Sequence, residues 1–365
     1  APFVFALFFI VMALAFSVNF FIYDNRESYV SAFIGPLVWS LALFIPAGSI
    51  GLDAQRLTRD LRWVFFFCTV LYVIEAIIKP LDVVSHLTPL HEVQVHKSLV
   101  CVLALCLSIL TGRMTLAFIT SGAIVAAIIL RPMSTLVLAL IVCVPIAIVL
   151  RSRVIRPRIT PVIVGFAASM MTWIAAVSIP LLLYFFFDDI ADFIGAGETY
   201  LKSDVIGGQS NMAFRLAILK IAYSTITDAW TFIFGNGLLD KHTVPLGQIG
   251  YWQWWYNINP EGEAPIHSDF SIVFIEMGII GYFFLSIAFL SALWRRFRDL
   301  TRAKFSGYAV VIQSISIIGI LTLMIYISDE PSLRYYNHTQ SIWLLLLISE
   351  VASKSLDTSK RTKYG

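Results

Sequence analysis

Long apolar runs alternate with short polar connections along most of the chain. A run of about 20 apolar residues is long enough to cross the hydrocarbon core of a bilayer as a helix. Ten segments of this kind fit the sequence, at about residues 2–22, 29–50, 62–80, 97–111, 113–130, 132–150, 161–187, 267–293, 307–327 and 340–352. The pattern predicts an all-α polytopic membrane protein with about ten transmembrane helices.

One polar region, residues 188–266, breaks this alternation. Within it, apolar positions recur every three or four residues from Asn211 onwards, which predicts an amphipathic helix at about 211–232. The sequence Phe-Gly-Asn-Gly at 234–237 is typical of a helix end followed by a turn. The predicted organisation is therefore seven transmembrane helices in 1–187, a large loop at 188–266, three transmembrane helices in 267–352 and a tail at 353–365.

Composition supports the membrane assignment. The chain is 58% hydrophobic and only 13% charged, and its mean hydropathy is +0.82, which is more apolar than a soluble domain requires. The cysteines all lie in apolar segments, where packing as small hydrophobic side chains is the ordinary explanation, and they are Cys68, Cys101, Cys106 and Cys143. We therefore expect neither a disulfide nor a zinc framework.

Basic residues predict the orientation, because short loops that are rich in lysine and arginine stay on the cytoplasmic side of the membrane. Clusters follow the spans that end near 50, 150 and 293, and another ends the chain: Arg56, Arg59, Arg62; Arg151, Arg153, Arg156, Arg158; Arg295, Arg296, Arg298, Arg302, Lys304; Lys354, Lys360, Arg361, Lys363. This orientation places both termini in the cytoplasm, with loop 188–266 and all six histidines outside. It disfavours donors confined to the cytosol, such as nucleotide sugars and ATP, and no phosphate-binding glycine loop is visible.

Three outward-facing residues are candidates for catalysis. Arg131 is a lone cation at the outer surface, either a lipid-headgroup anchor or a guanidinium fixed for a phosphate. Arg215 falls near the first turn of the amphipathic helix, where the helix dipole favours anions, so its position favours a ligand role. His267 begins an apolar span, and its imidazole exchanges a proton near neutral pH, as a general base must.

Two further groups of residues have alternative interpretations. The aromatic run at 251–256 anchors the membrane interface or provides flat faces on which sugar rings stack, and it contains Trp252, Trp254 and Trp255. The histidines at 86, 91 and 96 are five residues apart and do not share one helical face, so we predict no metal site.

Several short motifs occur together in the second half of the chain. Arg215 is followed four residues later by Leu219, and His267-Ser268 is followed by nine residues and then Gly278 and Gly281. With the Phe-Gly-Asn-Gly turn, which contains Gly235 and Gly237, this set resembles the O-antigen ligase and polymerase superfamily of bacterial envelope glycosyltransferases. Arg131 is similar in position to another arginine of that family, and Ser328-Asp329 is similar to an acidic pair near its last outer loop.

The resemblance implies a GT-C-like fold in the bacterial inner membrane and a periplasmic active site. Such enzymes transfer a glycan from undecaprenyl diphosphate to an acceptor hydroxyl without a metal or another cofactor. In that reaction Arg131 and Arg215 stabilise the diphosphate leaving group, and His267 acts as the base. We further expect Asp329, Arg334 and the three tryptophans to bind substrate.

The implied partners are the lipid-linked donor, an acceptor that is a second lipid-linked glycan or a lipid A-core, membrane lipids and a chain-length regulator, with no nucleic acid. Loop 188–266 holds nine acids and four bases, a net charge of −5. This field disfavours a phosphorylated lipid A-core and favours a polymerase over a ligase. The second alternative is a lipid-linked glycan flippase or exporter, which requires a polar path that the first seven predicted spans do not offer.

Overall fold

The computed structural model describes residues 53–78, 90–130, 133–156, 158–193, 208–237, 243–245, 263–266, 268–302, 307–329 and 342–351. The first two predicted spans lie outside these residues, as do several predicted site residues: Arg131, Trp252, Trp254, Trp255, His267 and Arg334. For Asp329 the structure describes the backbone alone.

The regular secondary structure of the described residues is helical apart from two three-residue strands. The elements before the predicted loop are α1 (Ala54–Ile78), α2 (Leu90–Leu110), α3 (Met114–Leu130), α4 (Ser134–Ile155) and α5 (Thr160–Phe185). They are followed by α6 (Phe187–Phe193), α7 (Gly208–Ser224), α8 (Ala229–Phe234), β1 (Thr243–Pro245), β2 (Glu263–Pro265), α9 (Asp269–Thr301), α10 (Tyr308–Asp329) and α11 (Ile342–Val351).

Four of the described helices, α4, α5, α9 and α10, are long and apolar enough to cross a membrane. The shorter apolar segments are Ser98–Leu110, Met114–Ile129 and Ile342–Val351. The prediction of a helical membrane protein is therefore confirmed in its coarse form, whereas the number of ten spans stays a prediction.

Helix α10 is the centre of the bundle. Its residues from Ala309 to Ile327 are all buried, and it packs against α2, α4 and α9. The outer helices show the opposite pattern, since Phe118 of α3 is 82% exposed and Met171 of α5 is 68% exposed. Apolar side chains pointing outwards from an already packed core are what lipid contact requires.

The two ends of the bundle differ in chemistry. At one end Arg153, near the end of α4, donates from Nε to the carbonyl of Leu300 near the end of α9, at 3.1 Å. Arg151 lies beside Met114 at the start of α3. We call this the basic end. The opposite end carries α7, α8 and the start of α9, and we call it the motif end.

Two predicted boundaries are corrected by the structure. The amphipathic helix predicted at about 211–232 is two helices, because α7 ends at Ser224 and α8 begins only at Ala229. The span predicted to end near 293 continues as α9 to Thr301 and includes Arg296. That arginine is fully buried and pairs with Glu350 of α11 at 3.0 Å, so it is a bundle residue and not a loop residue.

A short antiparallel ribbon joins the chain after α8 to the start of α9. Thr243 of β1 pairs with Pro265 of β2, and Val244 pairs with Ala264. The sequence predicted no strand in this region. The ribbon brings the chain back to the motif end directly before residue 267.

Candidate functional site

Helix α7 places Arg215 on its inward side. Its buried face includes Leu216, Ile218, Leu219 and Tyr223, and Arg215 itself is half-buried with a fully buried Nε. Arg215 is the eighth residue of α7, which begins at Gly208, so the expected position near the first turn is wrong. The dipole effect decays within one turn, and it no longer supports a ligand role for Arg215. The inward placement is the remaining geometric argument.

Ser268, directly after His267, has an unusual backbone. Its φ of 124° makes it the one non-glycine residue with positive φ among the residues that the structure describes. Its side chain is 2% exposed and accepts a hydrogen bond from the backbone N–H of Ser271 at 3.3 Å, capping α9. A conformation of this kind costs about 1–3 kcal/mol and persists only where its surroundings fix it.

A chain of hydroxyl groups connects α7 to this cap. The Tyr223 hydroxyl lies 2.8 Å from Ser271 Oγ, and the Ser271 hydroxyl lies 3.2 Å from Ser268 Oγ. The Tyr223 hydroxyl is also within 3.2 Å of the carbonyl of Pro180 in α5. Burial raises the pKa of Tyr223 above its ordinary value, so this hydroxyl keeps its proton. The helix carrying Arg215 is thus held to the segment that follows His267.

The Phe-Gly-Asn-Gly turn after α8 packs onto a break in α9. Gly278 has φ 63° and ψ −166°, which interrupts the helix. The break leaves the carbonyls of Ile275 and Glu276 without their usual helical donors. The backbone N–H of Asn236 donates to Ile275 O at 2.9 Å, and that of Gly237 donates to Glu276 O at 3.0 Å. Two backbone N–H groups of one segment therefore satisfy two carbonyls of the other.

This contact requires glycine on both sides. A Cβ at Gly235, where φ is 78°, would overlap the carbonyl of Glu276, and a Cβ at Gly278 would overlap the carbonyl of Ile233 in α8. A Cβ at Gly281 would overlap the side chain of Met277. The two glycine motifs, which appear separately in the sequence, form a single unit that we call the glycine interlock: residues 233–237 and 275–281.

Helix α8 is held in place by a capping box at its start. The Asp228 carboxylate accepts from Thr231 N at 2.7 Å, and the Thr231 hydroxyl accepts from the backbone N–H of Asp228 at 3.1 Å. These hydrogen bonds, first that from the Thr231 backbone, hold the pKa of the exposed Asp228 carboxyl below its ordinary value. Asn236 Nδ2 adds a bond to Thr225 Oγ1 at 2.9 Å, which ties the interlock to the α7–α8 connection.

The motif end brings together the described members of the predicted site. Arg215, Leu219, Ser268 and the interlock glycines share it, and Asp329 is the last residue of α10. The sequence did not predict a role for Tyr223 or Ser271, although Tyr223 belongs to the apolar stripe of the helix that carries Arg215. In the described residues, no group of three or more histidine, cysteine or acidic side chains is placed to hold a metal ion.

Comparison with known proteins adds no family. No protein-family model matches the chain, and no curated protein matches it. The motifs and the geometry of the motif end are therefore the features that bear on function.

Proposed function

We propose that the protein is a glycosyltransferase of the bacterial inner membrane, with its active site on the periplasmic face and both termini in the cytoplasm. It moves a glycan from undecaprenyl diphosphate to an acceptor hydroxyl. The observation that carries the proposal is the glycine interlock. Two motif segments far apart in the chain pack on each other beside the Ser268 cap, and that cap is bonded to the helix that carries Arg215.

The proposed reaction needs a base and a set of fixed cations. His267 takes the proton of the acceptor hydroxyl, whose oxygen forms a bond to the anomeric carbon of the donor glycan. The bond from that carbon to the phosphate oxygen breaks, and the electron pair leaves with undecaprenyl diphosphate. Arg215 and Arg131 stabilise the charge that develops on this leaving group. Arg334 and Asp329 bind substrate, as do Trp252, Trp254 and Trp255, whose rings provide stacking faces.

We assign the acceptor as a second lipid-linked glycan, which makes the enzyme a polysaccharide polymerase. The net charge of −5 in residues 188–266 repels the phosphates of a lipid A-core. A lipid-linked glycan keeps its own phosphates at the membrane surface and avoids this field. A chain-length regulator is the expected protein partner.

The test is to incubate the purified full-length protein in liposomes with the lipid-linked repeat unit alone. A polymerase lengthens the glycan and releases undecaprenyl diphosphate, and both products are measurable by gel and by mass spectrometry. An exporter leaves the glycan unchanged. A ligase also leaves it unchanged but transfers it once lipid A-core is added, so that result would overturn the assignment of the acceptor.

A further inference from the structure

A cavity of about 500 Å³ opens at the basic end of the bundle, away from the motif end. Its volume falls within the range of about 300–1,000 Å³ typical of small-molecule sites. Four arginines and a single acid are found among its described lining residues, which are Asp53, Gln55, Arg56, Thr58, Arg59, Arg62, Arg113 and Tyr308.

The arginines reach this cavity from two separate elements. Arg56, Arg59 and Arg62 are one helical turn apart on α1. Arg113 lies in the turn between α2 and α3, and this turn is a fixed structure. Gly112 has φ 73°, its N–H bonds to Ile109 O, and the N–H of Arg113 bonds to Ser108 O, each at 3.0 Å. That is the Schellman arrangement, so the backbone of Arg113 is preorganised.

The nearby acids do not balance the arginines. Asp53 Oδ1 accepts from the backbone N–H groups of Gln55 and Arg56, at 2.9 and 3.2 Å, and so caps α1. Asp60 pairs with Arg59 at 3.2 Å, and both side chains are exposed. Asp53 is the one carboxylate among the described residues of the cavity wall, and the cavity keeps a net positive charge.

An apolar groove of about 680 Å³ continues from the cavity. It shares Arg62 and Arg113 with the cavity and is otherwise lined by Trp63, Gly112, Met114, Thr115, Leu116 and Ile119. Trp63 is 47% exposed and Ile119 is 53% exposed, so the groove opens on the apolar outside of the bundle. Arg62 and Arg113 therefore stand where a polar cavity meets an apolar groove.

Retention of basic residues on the cytoplasmic side accounts for which end of the bundle carries arginine. It does not account for side chains of two elements meeting at one cavity, because like charges repel and gain nothing from proximity. An anion between them removes that repulsion. The guanidinium fork suits a phosphate in particular, and basic pockets between membrane helices bind anionic headgroups.

We propose that this site binds an anionic phospholipid, with its phosphate between Arg62 and Arg113 and an acyl chain along the groove that Trp63 and Ile119 line. The chemistry of a phosphate joined to an apolar chain matches both halves of the site. The site lies at the opposite end of the bundle from Arg215 and Ser268, so it is independent of the proposed transfer reaction.

The test is native mass spectrometry of the delipidated full-length protein with equal amounts of phosphatidylglycerol and phosphatidylcholine that carry the same acyl chains. We expect wild type to retain phosphatidylglycerol at least tenfold over phosphatidylcholine. The double variant Arg62→Gln, Arg113→Gln should lose this preference. The matched control is Arg156→Gln, Arg158→Gln, which removes two exposed arginines that follow the end of α4 and should keep this preference.

Three outcomes would overturn the proposal. Wild type without a headgroup preference would show that the arginines do not select an anionic headgroup. An equal loss in both double variants would show that charge at this end acts without a defined site. Displacement of the lipid by soluble glycerol phosphate at the same concentration would show that the groove adds nothing. To separate binding from folding, a second variant, Trp63→Ser, Ile119→Ser, should weaken retention of both lipids while leaving their ratio unchanged, and all variants are compared by thermal unfolding.

Discussion

At Gly235 and Gly278 two backbone segments approach each other more closely than any side chain permits. Both residues have positive φ, and each would place a Cβ on a carbonyl of the other segment. Neither backbone can shift alone, because the Asn236 and Gly237 N–H groups are bonded to α9. The interlock therefore tolerates no substitution on either side.

We predict that Gly235→Ala and Gly278→Ala each prevent stable folding. The added methyl group meets backbone atoms and not a flexible side chain, and the positive φ adds a strain of about 1 kcal/mol or more. The matched control is Gly122→Ala in α3, where nothing lies within 4 Å of the new Cβ. Thermal unfolding in detergent should show a higher melting temperature for Gly122→Ala, by the equivalent of up to about 1 kcal/mol. A Gly278→Ala protein that melts with wild type would contradict the interlock.

We predict that Arg215→Lys retains the fold and loses most of the transfer activity, by about 10²-fold, the loss typical of removing one charge-stabilising donor. A lysine keeps the charge but lacks the planar fork that binds a diphosphate at two oxygens. The control is Lys220→Arg on the same helix. Lys220 is exposed and pairs with Asp188, so this substitution should leave the rate of glycan transfer unchanged. Near-normal transfer by Arg215→Lys would remove Arg215 from the mechanism.

Of the motif residues that the structure describes, Arg215, Ser268 and the glycines lie at one end, and the sequence did not predict how they meet. Gly278 was a motif position, and the break that it makes in α9 could not be inferred, because periodicity reports which face of a helix is apolar and not where its hydrogen bonds end. Ser268 was a motif position too. Its positive φ is unpredictable because serine normally avoids that region, and only the surrounding contacts impose it.

Among the elements, α8 has only six residues, and the interlock segment 233–237 begins at its last two residues. No residue of α8 is fully buried, and its position depends on its cap at one end, on the interlock at the other and on Phe232, whose ring packs against Tyr184 of α5 and Phe274 of α9. The sequence predicted one helix through 232, because the apolar stripe continues to Trp230. In the structure Trp230 is 68% exposed, and the capping preference of Asp228 for a new helix start prevails over the stripe.

We predict that Asp228→Ala loosens α8 and that wild type shows the same change on acidification. The folded-state pKa of Asp228 is below its ordinary value. The cap therefore contributes its full stability when the pH of the solution is above that ordinary pKa. This stability is lost as the pH falls through the lowered folded-state pKa. Hydrogen exchange of the Thr231 and Gly235 amides is the measurement, with Asp228→Asn as the control, which should keep protection without the pH dependence. Unchanged exchange in Asp228→Ala would show that the cap is dispensable.

Helices α9 and α11 are joined by a buried ion-pair network. Glu350 contacts both Arg295 and Arg296, while Arg296 also donates to Ser316 Oγ at 3.2 Å and to Leu346 O at 3.2 Å. The sequence suggested a cytoplasmic loop here, because adjacent arginines normally end a span. The partner acid, far along the chain, is what allows the helix to continue past Arg296.

We predict that Glu350→Leu destabilises the protein by about 3–5 kcal/mol, because it leaves a buried guanidinium without its counter-charge. The double variant Glu350→Leu, Arg296→Met should recover much of the loss, since it removes the buried charge as well. Asp188→Asn, which breaks the exposed pair with Lys220, should cost at most about 1 kcal/mol. Denaturation in mixed detergent measures all three, and equal losses in the single and double Glu350 variants would contradict the network.

On the scale of the whole molecule, the bundle separates a basic end from the motif end. Helix α9 has 33 residues and extends over at most about 50 Å, so the two ends can lie on opposite sides of a membrane. Composition predicted the helical membrane class, and the basic clusters predicted which residues share an end. The packing order, with α10 at the centre, could not be predicted, because every span is similarly apolar.

We predict that the two ends are accessible from opposite sides. Ser224 at the end of α7 and Ser152 near the end of α4 are both exposed, whereas three of the four native cysteines are buried. In spheroplasts a membrane-impermeant maleimide should label the Ser224→Cys variant at once and the Ser152→Cys variant only after permeabilisation. The reverse pattern would place the motif end in the cytoplasm and rule out the proposed donor.

The break in α9 also constrains how the chain assembles. In lipid, a carbonyl without a donor costs several kcal/mol, so the broken form of α9 is unfavourable until α8 is beside it. Translation runs from the N-terminus, and α8 is synthesised before α9, so the donors are already present when the break forms. Deletion of residues 225–237 would therefore leave α9 unable to adopt its native bend. The defect would appear when the chain inserts into the membrane, before catalysis can be measured.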